Sequence, residues 1–388
     1  MTSPTVGDIV ATLDALYPPE TAEEWDVVGL TCGDRATPVR RVMFAVDPLP
    51  AVVDEALAWG ADVLVTHHPL LLHPTHSVAT DTWKGSVLHR MIRGGCALYT
   101  AHTNADVARD GVSEALADAL ALVNTRPLRA WPSEPADKIV TFVPPDHADA
   151  VIEALRRAGA GTIGNYTGCA WKVAGTGTFT PGEGANPVIG EVGRTEVTAE
   201  TRVEMVVPRF ARAVAVEALR AAHPYEEVAV DVIELATAPN GTGLGRVGSL
   251  AVPEPLDAFA QRVADALPST PGGVRFHGDP EAVIARVAVC GGSGDSLLAD
   301  AARAGVDAFV TADLRHHPAS DARATGGPAL VDPGHWASEW PWLPLAADRI
   351  VHALAQRDPG ATTVETHVST VVTDPVTGHV RSRPEEDR

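Results

Sequence analysis

Histidine and carboxylate side chains follow four strand-like segments of the sequence, at the point where each segment ends. They are His67 and His68; His102 and Asp106; Asp313, His316 and His317; and His335 and Glu339. Ligand sites of parallel sheets gather at the carboxyl ends of the strands, so we expect the four segments to converge on one crevice. The sequence therefore predicts a cluster of imidazole and carboxylate groups.

The spacing of these side chains suits metal ions. His67 and His68 point to different sides of an extended chain, so each can serve a separate ion. His335 and Glu339 are four residues apart and share one face of a helix. Asp106 and Glu339 are carboxylates, which can bridge two ions. Imidazole combined with carboxylate favours zinc, manganese, iron, cobalt or nickel over calcium.

Each feature also has a simpler interpretation. A pair of neighbouring histidines is often a surface feature or a hydrogen-bonded part of a core, and His-x-x-x-Glu is a common salt-bridged helix face. Four such groups at four strand ends, in a chain with only 15 histidines, favour metal binding. GGSGDS (291–296) is typical of a phosphate-cradling turn or of a plain tight turn. The sequence contains no GxSxG elbow, so it gives nucleophilic catalysis less support.

Strand and helix patterns alternate in the two outer parts of the chain. Strands are predicted over RRVMFAVD (40–47), DVLVTHH (62–68) and CALYTAHT (96–103), and helices over 51–61, 86–95 and 111–122. The alternation resumes over 286–317 and 328–354 and closes with a strand over 362–372. This order predicts an α/β fold built on a mostly parallel sheet.

Between residues 130 and 245 the pattern changes. Strands are predicted at 138–144, 202–208 and 228–235, helices at 147–159 and 210–223, and short strands in a glycine-rich stretch at 170–193. This βαββαβ order predicts a small ferredoxin-like α+β sheet with both helices on one face. The glycine-rich segment 240–248 is interpreted as the return to the host domain. The predicted domains are thus 1–129 with 246–375, an insert at 130–245, and a polar tail at 376–388.

Composition narrows the classes of function. The 388 residues are enough for two or three domains. Lys and Arg number 30 against 50 Asp and Glu, a net charge of −20 that argues against sequence-independent nucleic-acid binding. The four cysteines form no CxxC pair. Because a secretory signal and a long apolar run are both missing from the sequence, we predict a cytoplasmic protein without membrane spans.

Several separate segments, in this order, resemble the NIF3-like family, whose members are also named GTP cyclohydrolase 1 type 2 homologs or dinuclear metal centre proteins. They are EEWDVVGL (23–30), VLVTHHPLLL (63–72), AHTNADVARDGVSEALAD (101–118), TADLRHHPASDA (311–322) and DPGHWASEW (332–340). Val27 departs from the family, which usually has asparagine there. The insert resembles the PII/CutA-like domain of the longer members through IGNYTGCAW (163–171), GTGTFTPGEGANPVIG (175–190) and HPYEEVAVDV (223–232).

The resemblance implies a set of site residues. Two divalent metal ions per chain are implied, with ligands at His67, His68, Asp106, His335 and Glu339. His102, Asp313, His316 and His317 match positions near the site. Of these, His102 and His317 are interpreted as general acid or base catalysts.

The resemblance also implies a homohexamer with its metal sites facing an inner cavity, and a metal-dependent hydrolase acting on a small molecule such as a nucleotide. Attack of an activated water on purine C8 of GTP, with release of formate, is the implied reaction. The alternative is a metal-binding regulatory or scaffold protein with a sensor-like insert and no turnover. HPYEEV is interpreted as part of the insert's own packing, with Tyr225 at an interface.

Overall fold

The computed structural model describes residues 3–131, 135–164, 166–236, 241–357 and 363–380. Its helices are α1 (Val6–Leu16), α2 (Pro50–Trp59), α3 (Trp83–Gly94), α4 (Thr103–Val107), α5 (Val112–Ala119), α6 (Ala148–Arg157), α7 (Arg212–Ala222), α8 (Leu256–Ala266), α9 (Leu298–Ala304), α10 (His316–Ala324), α11 (His335–Glu339) and α12 (Trp342–Arg357). Its strands are β1 (Gly29–Cys32), β2 (Arg41–Ala45), β3 (Val63–Thr66), β4 (Ala97–Thr100), β5 (Val123–Ala130), β6 (Ala136–Val143), β7 (Trp171–Phe179), β8 (Glu196–Pro208), β9 (Val230–Glu234), β10 (Gly243–Pro255), β11 (Arg275–His277), β12 (Val283–Ser293), β13 (Ala308–Ala312), β14 (Ala329–Asp332) and β15 (Glu365–Val368). Among these residues, the helices are all too short or too polar to cross a membrane.

Internal contacts divide the chain into two units. The first combines Met1–Trp131 with Gly241–Arg388, and the second is Pro132–Asn240. The predicted boundaries at 129/130 and 245/246 fall within β5 and β10 of the first unit, a few residues from this division. The glycine-rich segment 240–248, interpreted as the return to the host domain, enters β10 at Gly243, and its first residue lies outside the described residues. Glycine is needed there because a Cβ on Gly243 would lie 2.2 Å from the carbonyl oxygen of Arg129 on the paired strand β5.

The first sheet of the first unit has the order β1-β4-β3-β2-β15. Its four strands β4, β3, β2 and β15 are parallel, and β1 is an antiparallel edge. Strand β3 is buried along its whole length, as expected for a parallel strand covered on both faces. Side chains of α2 and α3 pack against Leu64 on one face, and side chains of α1 and α12 belong to the core that contains Val63 on the other.

The second sheet of the first unit has the order β11-β14-β13-β12-β10-β5. Only β12, β13 and β14 are parallel, while β5, β10 and β11 pair antiparallel. The prediction of a mostly parallel sheet is therefore wrong for this half. The antiparallel strands occupy the edges of a parallel core, an arrangement common in mixed sheets. Arg246 of β10 is buried beneath this sheet, where it donates hydrogen bonds to Glu114 and to three backbone carbonyls.

The second unit is a four-stranded antiparallel sheet of order β7-β8-β6-β9. Its elements follow one another as β6, α6, β7, β8, α7 and β9, which is the βαββαβ arrangement of ferredoxin-like folds. Helices α6 and α7 supply Val151 and Leu219 to a core that also contains Ile139 and Val203 of the sheet. The opposite face of the sheet is left for other side chains, including Phe142 and Glu200.

A buried carboxylate links the two ends of this second unit. The side chain of Asp137 is fully buried and accepts hydrogen bonds from Arg212 (2.7 Å) and Arg209 (3.1 Å). Arg212 also donates to Glu234 of β9 (2.9 Å). The hydrogen bond from Arg212, with the charge of both guanidinium groups, holds the pKa of Asp137 below its usual value.

We expect Asp137→Asn to lower the free energy of unfolding of the second unit by about 2 kcal/mol at pH 7, less than for a fully buried pair because both arginines are partly solvated. A lowered folded-state pKa stabilises the protein above the unfolded-state value of about 3.9, and this stabilisation is lost as the pH falls through the folded-state pKa. Urea unfolding followed by circular dichroism should therefore show that wild type and Asp137→Asn differ in free energy of unfolding at pH 7 and that this difference shrinks below about pH 4. Asp149→Asn, which removes an exposed ion pair with Lys172, is the control and should change nothing measurable. A difference undiminished at pH 3 contradicts this account.

Candidate metal centre

Most of the predicted site residues follow the carboxyl ends of strands β3 and β4 in the first sheet and β14 in the second. His67 and His68 directly follow β3, and their backbone N–H groups donate to the carbonyls of Ala45 and Val46, which continues the pairing with β2. His102 follows β4 and precedes α4, which carries Asp106. His335 and Glu339 occupy the two ends of α11, one loop after β14. Strand geometry thus brings these three segments to one place, whereas of the fourth segment only Asp313 reaches the cluster.

Glu339 lies at the centre of the cluster and is almost completely buried. Its Oε1 is 2.9 Å from His335 Nε2 and 3.4 Å from His67 Nε2, and its Oε2 is 3.3 Å from His68 Nε2. His68 Nε2 and His335 Nε2 are 3.3 Å apart, and Asp106 Oδ1 lies 3.8 Å from His67 Nε2. Nitrogen or oxygen atoms around one tetrahedral ion at about 2.0–2.1 Å are about 3.3 Å apart, so these separations suit shared ions.

Four histidines of the cluster are held through Nδ1, which leaves Nε2 to face the others. The Nδ1 partners are the carbonyl of Ala101 for His67 (2.9 Å), Asp47 for His68 (2.8 Å), Asp26 for His102 (2.8 Å) and Asp313 for His335 (2.7 Å). A carbonyl or carboxylate on the far nitrogen is the usual support of a metal-binding imidazole, because it fixes the tautomer and the ring orientation.

Charges of both signs are buried together here. Burial lowers the pKa of His68 and of His335, but the carboxylates of Glu339, Asp47 and Asp313 outweigh it and raise the values to about 10 and about 11. Burial raises the pKa of Glu339, yet the surrounding imidazoles hold it well below its usual range. Burial also raises the pKa of Asp106 to about 7. The carboxylates thus create a pocket of negative potential that attracts positive charge.

Three buried atoms of the cluster have no hydrogen-bond partner within the described part of the chain: His67 Nε2, Asp106 Oδ1 and Glu339 Oε2. Leaving such an atom unpaired costs about 1–3 kcal/mol, so native proteins rarely do it. Each of these atoms is of a type that binds metal ions, and all three face one cluster. The residues of the cluster are therefore suited to bind divalent metal ions. Among the residues that the structure describes, two triplets have ligand atoms within 4.8 Å of one another, namely His67, His68 and His102, and His68, His335 and Glu339.

The glycines of GGSGDS make room for this cluster. Gly291–Ser293 end strand β12, and Gly292 has a φ of +63° and donates its N–H to the hydroxyl of Ser338 (2.8 Å). A Cβ on Gly292 would lie 2.3 Å from Glu339 Oε1 and 3.0 Å from His335 Nε2. Close approach of the backbone to α11 therefore explains Gly292 without a bound phosphate.

The structure separates two groups of predicted residues. Asp313, in a left-handed conformation (φ +54°), supports His335 as described above. His316 and His317 are exposed at the start of α10, with their rings 5.2 Å apart. Among the described residues neither ring contacts the cluster. The geometry therefore does not support a catalytic role for His317. The ring of His102, by contrast, lies 5.2 Å from the ring of His67, centre to centre.

Sequence reasoning missed two carboxylates that orient the cluster, Asp47 and Asp26. Asp47 is the last residue of the predicted strand RRVMFAVD, so its position at a strand end was an available signal. Asp26 lies in EEWDVVGL, where its buried side chain accepts hydrogen bonds from His102 and Thr103. The neighbouring Val27 has an exposed side chain, and its backbone N–H donates to Asp26 (2.7 Å).

The fold and the cluster together define an α/β protein with a buried histidine–carboxylate centre. Over residues 4–375 the chain matches the profile of the family Duf34/NIF3 (NGG1p interacting factor 3), and it belongs to this family. It is 50% identical to the GTP cyclohydrolase 1 type 2 homolog of Mycobacterium leprae (strain TN), over 96% of this chain and 95% of that protein. The Bacillus subtilis (strain 168) protein of the same name is 39% identical over 85% and 88%. A solved Bacillus cereus protein related to NIF3 superposes with a TM-score of 0.74 at 37% identity, covering 97% of this chain and 99% of that one.

Proposed function

We propose that this protein is a metal-dependent hydrolase whose centre holds two divalent ions on His67, His68, Asp106, His335 and Glu339. The observation that carries the proposal is the set of unpaired buried atoms on His67, Asp106 and Glu339. Glu339 presents one oxygen to His67 and His335 and the other to His68, so it would offer a ligand atom to both sides of the cluster. When bound, such ions lower the pKa of a water molecule towards neutrality and stabilise developing negative charge.

His102 is the residue best placed to move a proton beside this centre. Its Nδ1 is paired with the buried carboxylate of Asp26. Burial alone would raise the pKa of Asp26, but hydrogen bonds from His102 and Thr103 bring it well below its ordinary value. A carboxylate that stays ionised fixes the imidazole orientation and stabilises its protonated form. His102 Nε2 is thereby able to accept a proton and return it.

A nucleotide is the substrate class that we favour, with GTP first. Relatives at 50% and 39% identity are named GTP cyclohydrolase 1 type 2 homologs. Trp25 is 59% exposed and its ring lies 5.9 Å from that of His102, so a purine can stack on it next to the cluster. The proposed reaction adds water at purine C8, opens the imidazole ring and, with a second water, releases formate.

Turnover is tested by loading the protein with zinc, manganese, iron, cobalt or nickel and offering it GTP, other nucleotides, phosphoesters and amides. We expect formate release from GTP, detected by formate dehydrogenase coupling, and its loss in the His68→Ala, Glu339→Ala double variant. Formate release that is equal in wild type and variant would contradict the proposed centre. Bound metal without turnover of any substrate would contradict the hydrolase and favour a regulatory or scaffold protein.

Assembly and location are proposed from the family resemblance. We infer a cytoplasmic homohexamer with its metal sites facing an inner cavity, and a second unit related to PII and CutA proteins. The βαββαβ order of that unit supports the last point. Sedimentation velocity of the full chain measures the assembly directly, and a monomer at micromolar concentration would contradict it.

A further inference from the structure

The second unit contains a cavity of about 450 Å³ that is separate from the metal cluster. It lies on the sheet face opposite to α6 and α7, where Phe142, Gly177 and Phe179 are all found. The segment that follows β7 and the segment that precedes β9 enclose it with Ile189 and Tyr225. Its volume falls within the range of about 300–1,000 Å³ that is usual for small-molecule sites.

The cavity exists because strand β7 has glycine where its neighbours carry side chains. A Cβ on Gly177 would lie 2.2 Å from Oε2 of Glu200, on the paired strand β8. The missing side chain therefore lets the Glu200 carboxylate lie over the strand at the cavity floor. Phe142, Phe179 and Ile189 supply apolar walls around this charged group.

Hydrogen bonds hold the polar groups of the cavity in place. The Tyr225 hydroxyl donates to Glu200 Oε1 (3.1 Å), and the Tyr225 backbone N–H donates to Nδ1 of His223 (3.1 Å). His223 is itself held by the carbonyl of Phe142 (3.0 Å). Burial, with the negative charge of Glu200, raises the pKa of Tyr225 to about 12, so its hydroxyl remains a donor at neutral pH. Glu200 is thus oriented before any ligand arrives.

The charge of the cavity has one sign. Glu200, Glu226 and Glu227 all line it, and the described lining residues include no lysine or arginine. A carboxylate or phosphate ligand would be repelled, and a neutral apolar ligand would leave the charge of the carboxylates uncompensated, since among the described residues Glu200 and Glu226 accept hydrogen bonds only from the neutral Tyr225 hydroxyl and the Asn186 N–H. A cation with an apolar body satisfies both the charge and the walls.

We propose that this cavity binds a small organic cation, a primary ammonium group on an aromatic or branched aliphatic body. The ammonium group donates hydrogen bonds to Glu200 at the floor, and the apolar body packs between Phe179 and Ile189. This site is independent of the metal centre and of the proposed hydrolase activity.

Three matched indole probes test the proposal on the full chain: tryptamine, tryptophol and indole-3-propionate, which carry an ammonium, a hydroxyl and a carboxylate. By isothermal titration calorimetry, we expect tryptamine to bind at least about tenfold more tightly than tryptophol, and indole-3-propionate not to bind. Equal affinities for the three probes, or no binding of tryptamine, would overturn the proposal.

Two variants locate the binding. Glu200→Gln should weaken tryptamine binding at least about tenfold and leave tryptophol unchanged, because only the charged partner is lost. Gly177→Ala should do the same by displacing the Glu200 carboxylate while keeping the strand. Glu153→Gln, on the exposed face of α6, is the matched control and should bind like wild type. Tryptamine affinity unchanged in Glu200→Gln would overturn the proposal. A third variant, Val188→Asp, tests whether a second copy of the chain covers the cavity. If this variant dissociates the protein in sedimentation experiments and wild type does not bind tryptamine, a second copy occupies the cavity and the proposal is overturned.

Discussion

The double variant His68→Ala, Glu339→Ala should purify folded and without metal. Glu339 contacts three imidazoles of the cluster, and His68 belongs to both triplets that could hold an ion. Disturbing only the supporting partners of a metal ligand typically costs about 10–100-fold in affinity, so removing two ligands should cost more than that. Elemental analysis should show about two ions per chain in wild type and at least about a tenfold lower content in the variant.

The fold should survive because other residues anchor the same elements. Helix α11 is held by Trp336 and Ala337, and α12 by Trp342 and Leu343, all of which belong to the main hydrophobic core. His352→Ala with Glu281→Ala removes the same residue types from exposed positions, and this control should keep its metal. Circular dichroism reports the fold of each variant. A folded double variant that retained its metal would show that the ligands lie elsewhere.

Local patterns explain how much of the fold could be predicted. Helices α2 and α3 were predicted because apolar positions repeat at helical spacing and each helix ends at a glycine, Gly60 and Gly95, with a left-handed φ. The antiparallel pairing of β5 with β10 was not predicted. It joins residues that are more than a hundred positions apart, and a chain's local sequence does not identify so distant a partner.

The same distinction between local pattern and tertiary contact applies to the residues of the candidate site. His67, His68 and Glu339 were found because their residue types stand out at the ends of strand and helix patterns. Asp26 was not assigned its place against His102, since the two are 76 residues apart and only the folded chain joins them. The catalytic role predicted for His317 has no structural support, because α10 begins at His316 and exposes the His317 ring to solvent. Residue type predicts which groups can do chemistry, and tertiary structure decides which of them meet.

If the protein hydrolyses a nucleotide as proposed, the His102→Gln variant should keep its metal and lose about 10²–10⁴-fold in kcat, because glutamine keeps the polarity but cannot exchange a proton. Asp26→Asn should lower kcat as well, since an amide in place of the carboxylate no longer stabilises the protonated imidazole or selects its tautomer. Both effects should fall on kcat rather than KM, because in the proposed mechanism His102 acts on the reacting proton and Trp25 supplies the binding surface.

His317→Gln is the matched comparison, since it makes the same change on an exposed ring outside the cluster. We expect its kcat to remain within about twofold of wild type. Metal content must be measured for all three variants, because His102 lies close enough to His67 and His68 to act as a ligand. If His102→Gln lost metal together with activity, His102 would be a ligand and the proton would move through another group. If His317→Gln alone lost activity, a rearrangement of α10 would have to bring that ring to the centre during turnover.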